Sequence, residues 1–216
     1  MQEFKNIDSI EVHNSEKQNF RKIQPKEGMT LEVANAFWDK EIANVNFHNK
    51  ITDVYTDDNG KEYRHGDSLL PNNEYVYNGY SYKTDIKGRI NLGEGKLTLA
   101  SEEYIREHKD SLEIVGKGDE HPGDERGHLI GHKFGGGDNL ENLIPMSFKL
   151  NHGDFRRIEN EWVDALEDGA EVYVRVEPVY EKTSNRPKEF RVMYSIDGDI
   201  TERVFKNIGD DKYDAK

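Results

Sequence analysis

The residues best suited to chemistry are His128, Asn151 and Glu159, with Arg126 two places before the histidine and Asn142 between. Hydrolysis of a phosphodiester needs a base to activate water. It also needs a cation to offset charge on the transition state, and groups that hold the phosphate in line. His128 suits the base, because imidazole titrates near neutral pH. Asn151 offers a hard oxygen to Mg²⁺, an ion that keeps most of its waters and needs few protein ligands. Glu159 lies eight residues further on, about 12 Å of rise along a helix, too far to share the ion's first shell with Asn151 but within reach through water. Arg126 and Arg89 are candidates for the phosphate oxygens.

Each residue also has a plainer reading. A lone loop histidine is usually structural or solvated. Asn151 stands just ahead of a helical pattern, where asparagine commonly caps. Glu159 falls on the polar side of that helix.

The order and spacing go further. Arg126-Gly127-His128, then Asn142-Leu143-Ile144-Pro145-Met146, then Asn151 and Glu159, resembles the DNA/RNA non-specific endonuclease family. The resemblance implies an α+β fold with a central antiparallel sheet and a ββα-metal (His-Me finger) motif, expected between residues 115 and 167. It implies His128 as general base, with Arg126 and Glu159 beside it in the catalytic group. It implies Asn151 as the direct protein ligand of Mg²⁺ (Mn²⁺ as a substitute), with Glu159 and Asp124 meeting the ion through water. Asn142 and Arg89 are carried over as supporting and substrate-binding residues. The motif acid is Glu125 or Asp124, since the family places an aspartate where Glu125 stands. Further likeness, over Asn73-Glu74-Tyr75, Asn78-Gly79-Tyr80, Gly88-Arg89-Ile90 and Phe134-Gly135-Gly136, is to the C-terminal nuclease domain of LXG and related type VII-secreted polymorphic toxins. That likeness implies a secreted protein without a cleaved signal peptide in this chain, acting in the target-cell cytoplasm. In the producing cell it implies a cytoplasmic complex with a cognate immunity protein.

Rival chemistries fit less well. His128 and His132 have the spacing of a helical zinc pair, but glycines flank them and no glutamate follows His128. Gly135-Gly136-Gly137 lacks the Lys-Ser or Lys-Thr of a P-loop and reads as a flexible active-site loop. His121, His132 and His152 read as solvated loop histidines. The tyrosines of 75–82 read as cross-strand packing before base stacking. A catalytically silent acidic binding module, of inhibitor or DNA-mimic type, is the alternative from another class. It gives no reason for a base, an amide ligand and a carboxylate in this order.

The net charge of −13 runs against a phosphate binder, yet the window from Arg126 to Arg157 carries five bases and three acids. Local positive charge sits where the chemistry needs it. Cysteine is absent, which excludes disulfides, thiolate metal sites and cysteine nucleophiles. There is no run of about 18 apolar residues of the kind that spans a membrane.

The elements that must position these residues follow from periodicity. Residues 1–30 read as a polar linker or tail, 31–208 as the nuclease domain and 209–216 as an acidic tail. Leu31, Ala34, Phe37 and Trp38 predict a helix over 31–44, and 101–109 also look helical. Asn78-Gly79 predicts a type I′ hairpin between Tyr75-Val76-Tyr77 and Tyr80-Ser81-Tyr82. Phe155, Ile158, Trp162 and Leu166 predict an amphipathic helix ended by Gly169. Val172, Val174 and Val176 alternate as a strand, as do Phe190, Val192, Tyr194 and Ile196. Asp197-Gly198 turns into a third strand carrying Ile200 and Val204.

Overall fold

The computed structural model describes residues 10–14, 19–23, 53–101, 104 and 110–209. The helix expected over 31–44 lies outside these, as do most of the helix expected over 101–109 and the acidic tail after Gly209. The chain divides into two units, residues 1–52 and 53–216. In the first, β1 (Ile10–Asn14) and β2 (Asn19–Ile23) pair antiparallel, inside the stretch read as a linker. Their apolar alternation is too short to stand out in sequence.

In the second unit, alternating apolar residues build a six-stranded sheet. Its strands are β6 (Glu74–Tyr77), β7 (Tyr80–Thr84), β8 (Ile90–Lys96), β11 (Val172–Tyr180), β12 (Pro187–Ile196) and β13 (Asp199–Lys206). Every neighbouring pair is antiparallel, in the order β13-β12-β11-β8-β7-β6. The expected hairpin turn is present: Asn78 and Gly79 take φ of 50° and 79°, the two positive angles of a type I′ turn. Asp197 and Gly198, at 49° and 92°, do the same between β12 and β13. A separate three-stranded sheet joins β3 (Val54–Thr56), β4 (Glu62–His65) and β5 (Ser68–Leu69).

One face of the six-stranded sheet is the core wall. Val172, Val174, Val176, Phe190, Val192 and Tyr194 are buried on it. A short helix, α1 (Leu112–Gly116), precedes the amphipathic helix α2 (Arg156–Glu167), which lies against this wall through Ile158 and Trp162, whose indole meets Tyr194 edge-on at 5.4 Å. Gly169, at φ 87°, ends the helix one residue past its cap, where only glycine turns left-handed without a Cβ penalty. Ile200 and Val204 on the edge strand β13 stay exposed, so that strand adds hydrogen bonds to the sheet more than core.

The tyrosines pack against one another in the core. Tyr63, Tyr75 and Tyr82 form a buried column with ring centroids 4.8 Å and 5.2 Å apart. Tyrosines of the sheet also carry hydroxyls across to the next layer. Tyr75 donates to the Glu141 carbonyl (2.7 Å), Tyr80 to the Phe134 carbonyl (2.6 Å) and Tyr82 to Asn142 Oδ1 (3.1 Å). All three acceptors lie between residues 134 and 142. The sheet thus grips the loop that carries the candidate site.

Candidate active site

Strands β9 (Asp124–His128) and β10 (Leu143–Ser147) pair antiparallel, with His128 opposite Leu143. A helical run follows directly, ending in α2. These three pieces form the ββα arrangement that the motif spacing implies, within the residues expected. Gly127 is required by contact: a Cβ there would stand 2.6 Å from that of Met146 on the paired strand. His128 closes the first strand and faces a cleft of about 670 Å³. Arg126, Asn151 and Glu159 line the same cleft. Residues spread over 34 positions of sequence are therefore brought to one place.

The helical run starts at Ser147, whose Oγ accepts from Leu150 N at 3.3 Å. Serine therefore does the capping, and Asn151 does not. Residues Leu150–Phe155 form a π-turn before α2 begins. Strict α-geometry would set Asn151 and Glu159 about 80° apart around the axis after eight residues. A π-turn takes more residues per turn, which brings the two side chains closer to one face. Widened turns of this kind recur at functional sites.

Asn151 is held by a carboxylate. Its Nδ2 donates to Glu125 Oε2 at 2.9 Å, and His152 Nε2 meets the same oxygen at 2.7 Å. A carboxylate only accepts, so the amide nitrogen is the end turned to Glu125 and Oδ1 is the end left to meet a cation. That donor set suits a hard, well-hydrated ion such as Mg²⁺. Among the described residues no group of three or more His, Cys, Asp or Glu is placed to hold a metal.

Glu159 points back over the first strand's exit. A Cβ on Gly131 would stand 2.4 Å from its Oε1, so that glycine makes room for the carboxylate. Lys133 Nζ lies 3.8 Å from Glu159 and donates to Asn160 at 3.0 Å. Arg126 is anchored by NH1 to the Asp110 carbonyl at 2.8 Å, and Asp110 is itself paired with the buried Arg64.

Three candidate residues have their polar groups engaged by the protein itself. Arg89 does not reach the cleft. Its guanidinium is spent on Asp85 (2.7 Å), the Ser184 carbonyl (2.6 Å) and the face of Tyr180 (4.3 Å). Asn142 is fully buried, and its amide meets only protein: Ile130 N and Tyr82 OH at the oxygen, the Ile130 and Gly137 carbonyls at the nitrogen. It clamps the loop and has no face toward substrate. Asp124 lines the cleft, but its carboxylate is turned to the protein. Both its oxygens are taken by Arg186, at 2.6 Å and 2.8 Å, and its side chain is wholly buried. The acid that meets Asn151 is Glu125.

The triple glycine is closely packed at two of its three positions. Gly135 takes φ 79° to end the 3₁₀ turn His132–Phe134. A Cβ on Gly136 would stand 1.8 Å from the Ile130 carbonyl oxygen, and one on Gly137 2.3 Å from Glu141 Oε1. This loop is close-packed against Asn142. His132 is not a solvated histidine either: it lines the cleft and lies 4.8 Å from the Tyr104 ring.

Sequence reasoning missed Asp138, whose carboxylate lies 2.9 Å from His128 Nε2 and 3.1 Å from His132 Nδ1. It also missed Lys133 and Arg156 as cleft cations. The excess of bases over acids in that window was the available signal. The buried Asp124–Arg186 pair had no signal at all, because its partners are 62 residues apart.

The DNA/RNA non-specific endonuclease family model matches residues 71–198, more than half of the chain. This chain belongs to the DNA/RNA non-specific endonuclease family. It is 34% identical over 147 residues to the type VII secretion system protein EssD of Staphylococcus aureus, strains USA300 and NCTC 8325. The match covers 64% of this chain and 24% of EssD, so the chain spans about a quarter of that relative's length. Among solved structures it is similar to NucA from Streptococcus agalactiae without metal (TM-score 0.45, 15% identity, 62% of this chain and 71% of that one). The magnesium-bound form of NucA matches at a TM-score of 0.44 and 13% identity, covering 63% and 73%.

Proposed function

We propose that this nuclease is an Mg²⁺-dependent endonuclease that hydrolyses phosphodiester bonds of DNA, and of RNA, without sequence preference, with Mn²⁺ able to replace Mg²⁺. The observation that carries this reading is the convergence of His128, Arg126, Asn151 and Glu159 on one cleft, with the Asn151 amide turned by Glu125.

In this reading His128 takes a proton from water as the water oxygen attacks phosphorus. The bond from phosphorus to the 3′-oxygen breaks, and the products carry a 5′-phosphate and a 3′-hydroxyl. Arg126, Lys133 and Arg156 hold the phosphate oxygens. Asn151 would hold the Mg²⁺ ion, and Glu159, on the same helical run, would be the carboxylate nearest to its bound water. When bound, the ion supplies positive charge that offsets the charge growing on the leaving oxygen.

The likeness to EssD supports a second part of the proposal. The chain is the nuclease portion of a longer protein exported by type VII secretion, acting in a target cell. A cell that makes such an enzyme must keep it silent, and a cognate immunity protein that covers the cleft would do so. No helix among the described residues is long and apolar enough to cross a membrane.

The test is cleavage of plasmid DNA and of RNA with Mg²⁺, with Mn²⁺ and with EDTA. Cleavage that EDTA abolishes is expected. Absence of cleavage at every Mg²⁺ and Mn²⁺ level would sink the proposal. His128→Ala should lose about 10²-fold or more in turnover, the usual contribution of a general base. Co-expression with the neighbouring gene product should abolish the activity if that product is the immunity protein.

A further inference from the structure

A histidine that accepts a proton must present its lone pair on the correct nitrogen. Which nitrogen is basic depends on what the other one is bonded to. His128 ends β9, and its Nε2 lies 2.9 Å from Asp138 Oδ1. Asp138 is the first residue after the glycine run and is 5% exposed. The same carboxylate meets His132 Nδ1, at 3.1 Å from Oδ2.

Asp138 is not free to swing between these rings. Its loop is packed on both sides. Gly136 and Gly137 leave no room for a Cβ, and Asn142 Nδ2 takes the Gly137 carbonyl at 2.8 Å. His132 is backed by the Tyr104 ring at 4.8 Å, and Tyr104 OH donates to the Gly136 carbonyl at 3.2 Å. The carboxylate is therefore presented to His128 by a rigid loop that the tyrosines of the sheet hold in turn.

We propose that Asp138 is a positioning residue for the reaction. Its carboxylate accepts the Nε2–H of His128 and so fixes that tautomer, which places the basic lone pair on Nδ1. In the transition state Nδ1 gains the proton from water and the ring becomes a cation. The Asp138 charge beside it favours that cation. The second bond, from His132 Nδ1–H, keeps the carboxylate aimed. This inference rests on the reading of His128 as the base.

The test combines a spectrum with kinetics. Long-range ¹H–¹⁵N correlation spectra of histidine-labelled wild-type protein, taken well above the ordinary imidazole pKa of about 6.5, report the tautomer directly. The Nε2–H form of His128 is expected. Asp138→Asn keeps the shape but can offer an oxygen to only one ring and must turn its amide nitrogen to the other. It should populate the second tautomer of His128 and lower kcat on the order of 10²-fold, with KM changed by no more than about threefold. A wild-type His128 in the Nδ1–H form would overturn the proposal, and that measurement needs no variant to fold. So would an Asp138→Asn protein with the wild-type tautomer and kcat. If His128→Ala instead cleaves like wild type, the base assignment is what fails, and the spectrum still reports whether Asp138 sets the ring.

Discussion

Glu125 accepts the side-chain N–H of Asn151 at 2.9 Å, across 26 residues of sequence. The contact decides which end of the amide meets the cleft. It links the first strand of the ββα unit to the π-turn that opens its helix, and so ties the candidate metal ligand to the strand that carries the candidate base.

Removing that contact should act on the metal before it acts on the chemistry. Partners that orient a ligand are typically worth 10- to 100-fold in metal affinity. Glu125→Ala should therefore raise the Mg²⁺ needed for half-maximal cleavage by about tenfold or more. Turnover at saturating Mg²⁺ should stay near wild type. Asn151→Ala should fold and lose the Mg²⁺ response altogether. A Mg²⁺ titration of initial rates checks both, and an unchanged midpoint in Glu125→Ala would refute the orienting role.

Arg89 and Arg156 should behave as opposites. Arg89 is spent on Asp85 and the Ser184 carbonyl, whereas Arg156 is exposed at the cleft. Arg89→Ala should lower stability on the order of 1–3 kcal/mol and leave KM for DNA unchanged. Arg156→Ala should raise KM and reduce the slope of log KM against log salt by about one. Urea unfolding and KM at several salt concentrations separate the two. A raised KM with unaltered stability in Arg89→Ala would reverse the assignment.

Asn142→Ala leaves four buried groups without their partner: Tyr82 OH, Ile130 N and the Ile130 and Gly137 carbonyls. An unsatisfied buried polar group costs about 1–3 kcal/mol, so a loss on the order of 3 kcal/mol or more is expected in urea unfolding. Asn142→Asp should fare little better, because a carboxylate cannot donate to the two carbonyls. Full stability in either variant would show that the clamp is dispensable.

Glu141 is buried in the same loop, and burial raises its carboxyl pKa above the ordinary value. A raised carboxyl pKa means that the folded protein holds this proton more tightly than the unfolded chain does. Its contribution is fully present below the unfolded pKa and is lost as pH rises through the folded value. Glu141→Gln removes that loss. The variant should therefore gain on wild type as pH rises from acid to neutral, read as the difference between their melting temperatures. A difference that stays constant across that range would count against a titrating Glu141.

Much of the site was legible because it is local or carried by fixed spacing. The turns at Asn78-Gly79 and Asp197-Gly198 follow from positive φ angles that few residues adopt. The strand faces of Val172–Val176 and Phe190–Tyr194 follow from a period of two, and the buried stripe of α2 from a period near 3.6. The separations of His128, Asn142, Asn151 and Glu159 pointed to one strand, its partner and one helix, and these residues do gather around a single ββα unit. None of these inferences needs knowledge of distant parts of the chain.

What sequence could not supply were contacts between residues that no period relates. Arg89 stands at a matching place in the strand order, yet Asp85, Tyr180 and the Ser184 carbonyl claim its guanidinium. Asp124 and Glu125 are adjacent and chemically alike. Alternation along β9 and the distant Arg186 bury one and leave the other at Asn151. Asp138 follows three glycines in sequence, and only the packed loop sets it between two histidines. The types and spacing of residues therefore determined the family of chemistry, since base, amide and carboxylate recur at fixed separations on a strand and a helix. Which like-charged neighbour meets Asn151, and which ring nitrogen of His128 meets Asp138, were decided only by tertiary structure, because burial and hydrogen-bond partners come from chain segments far away in sequence.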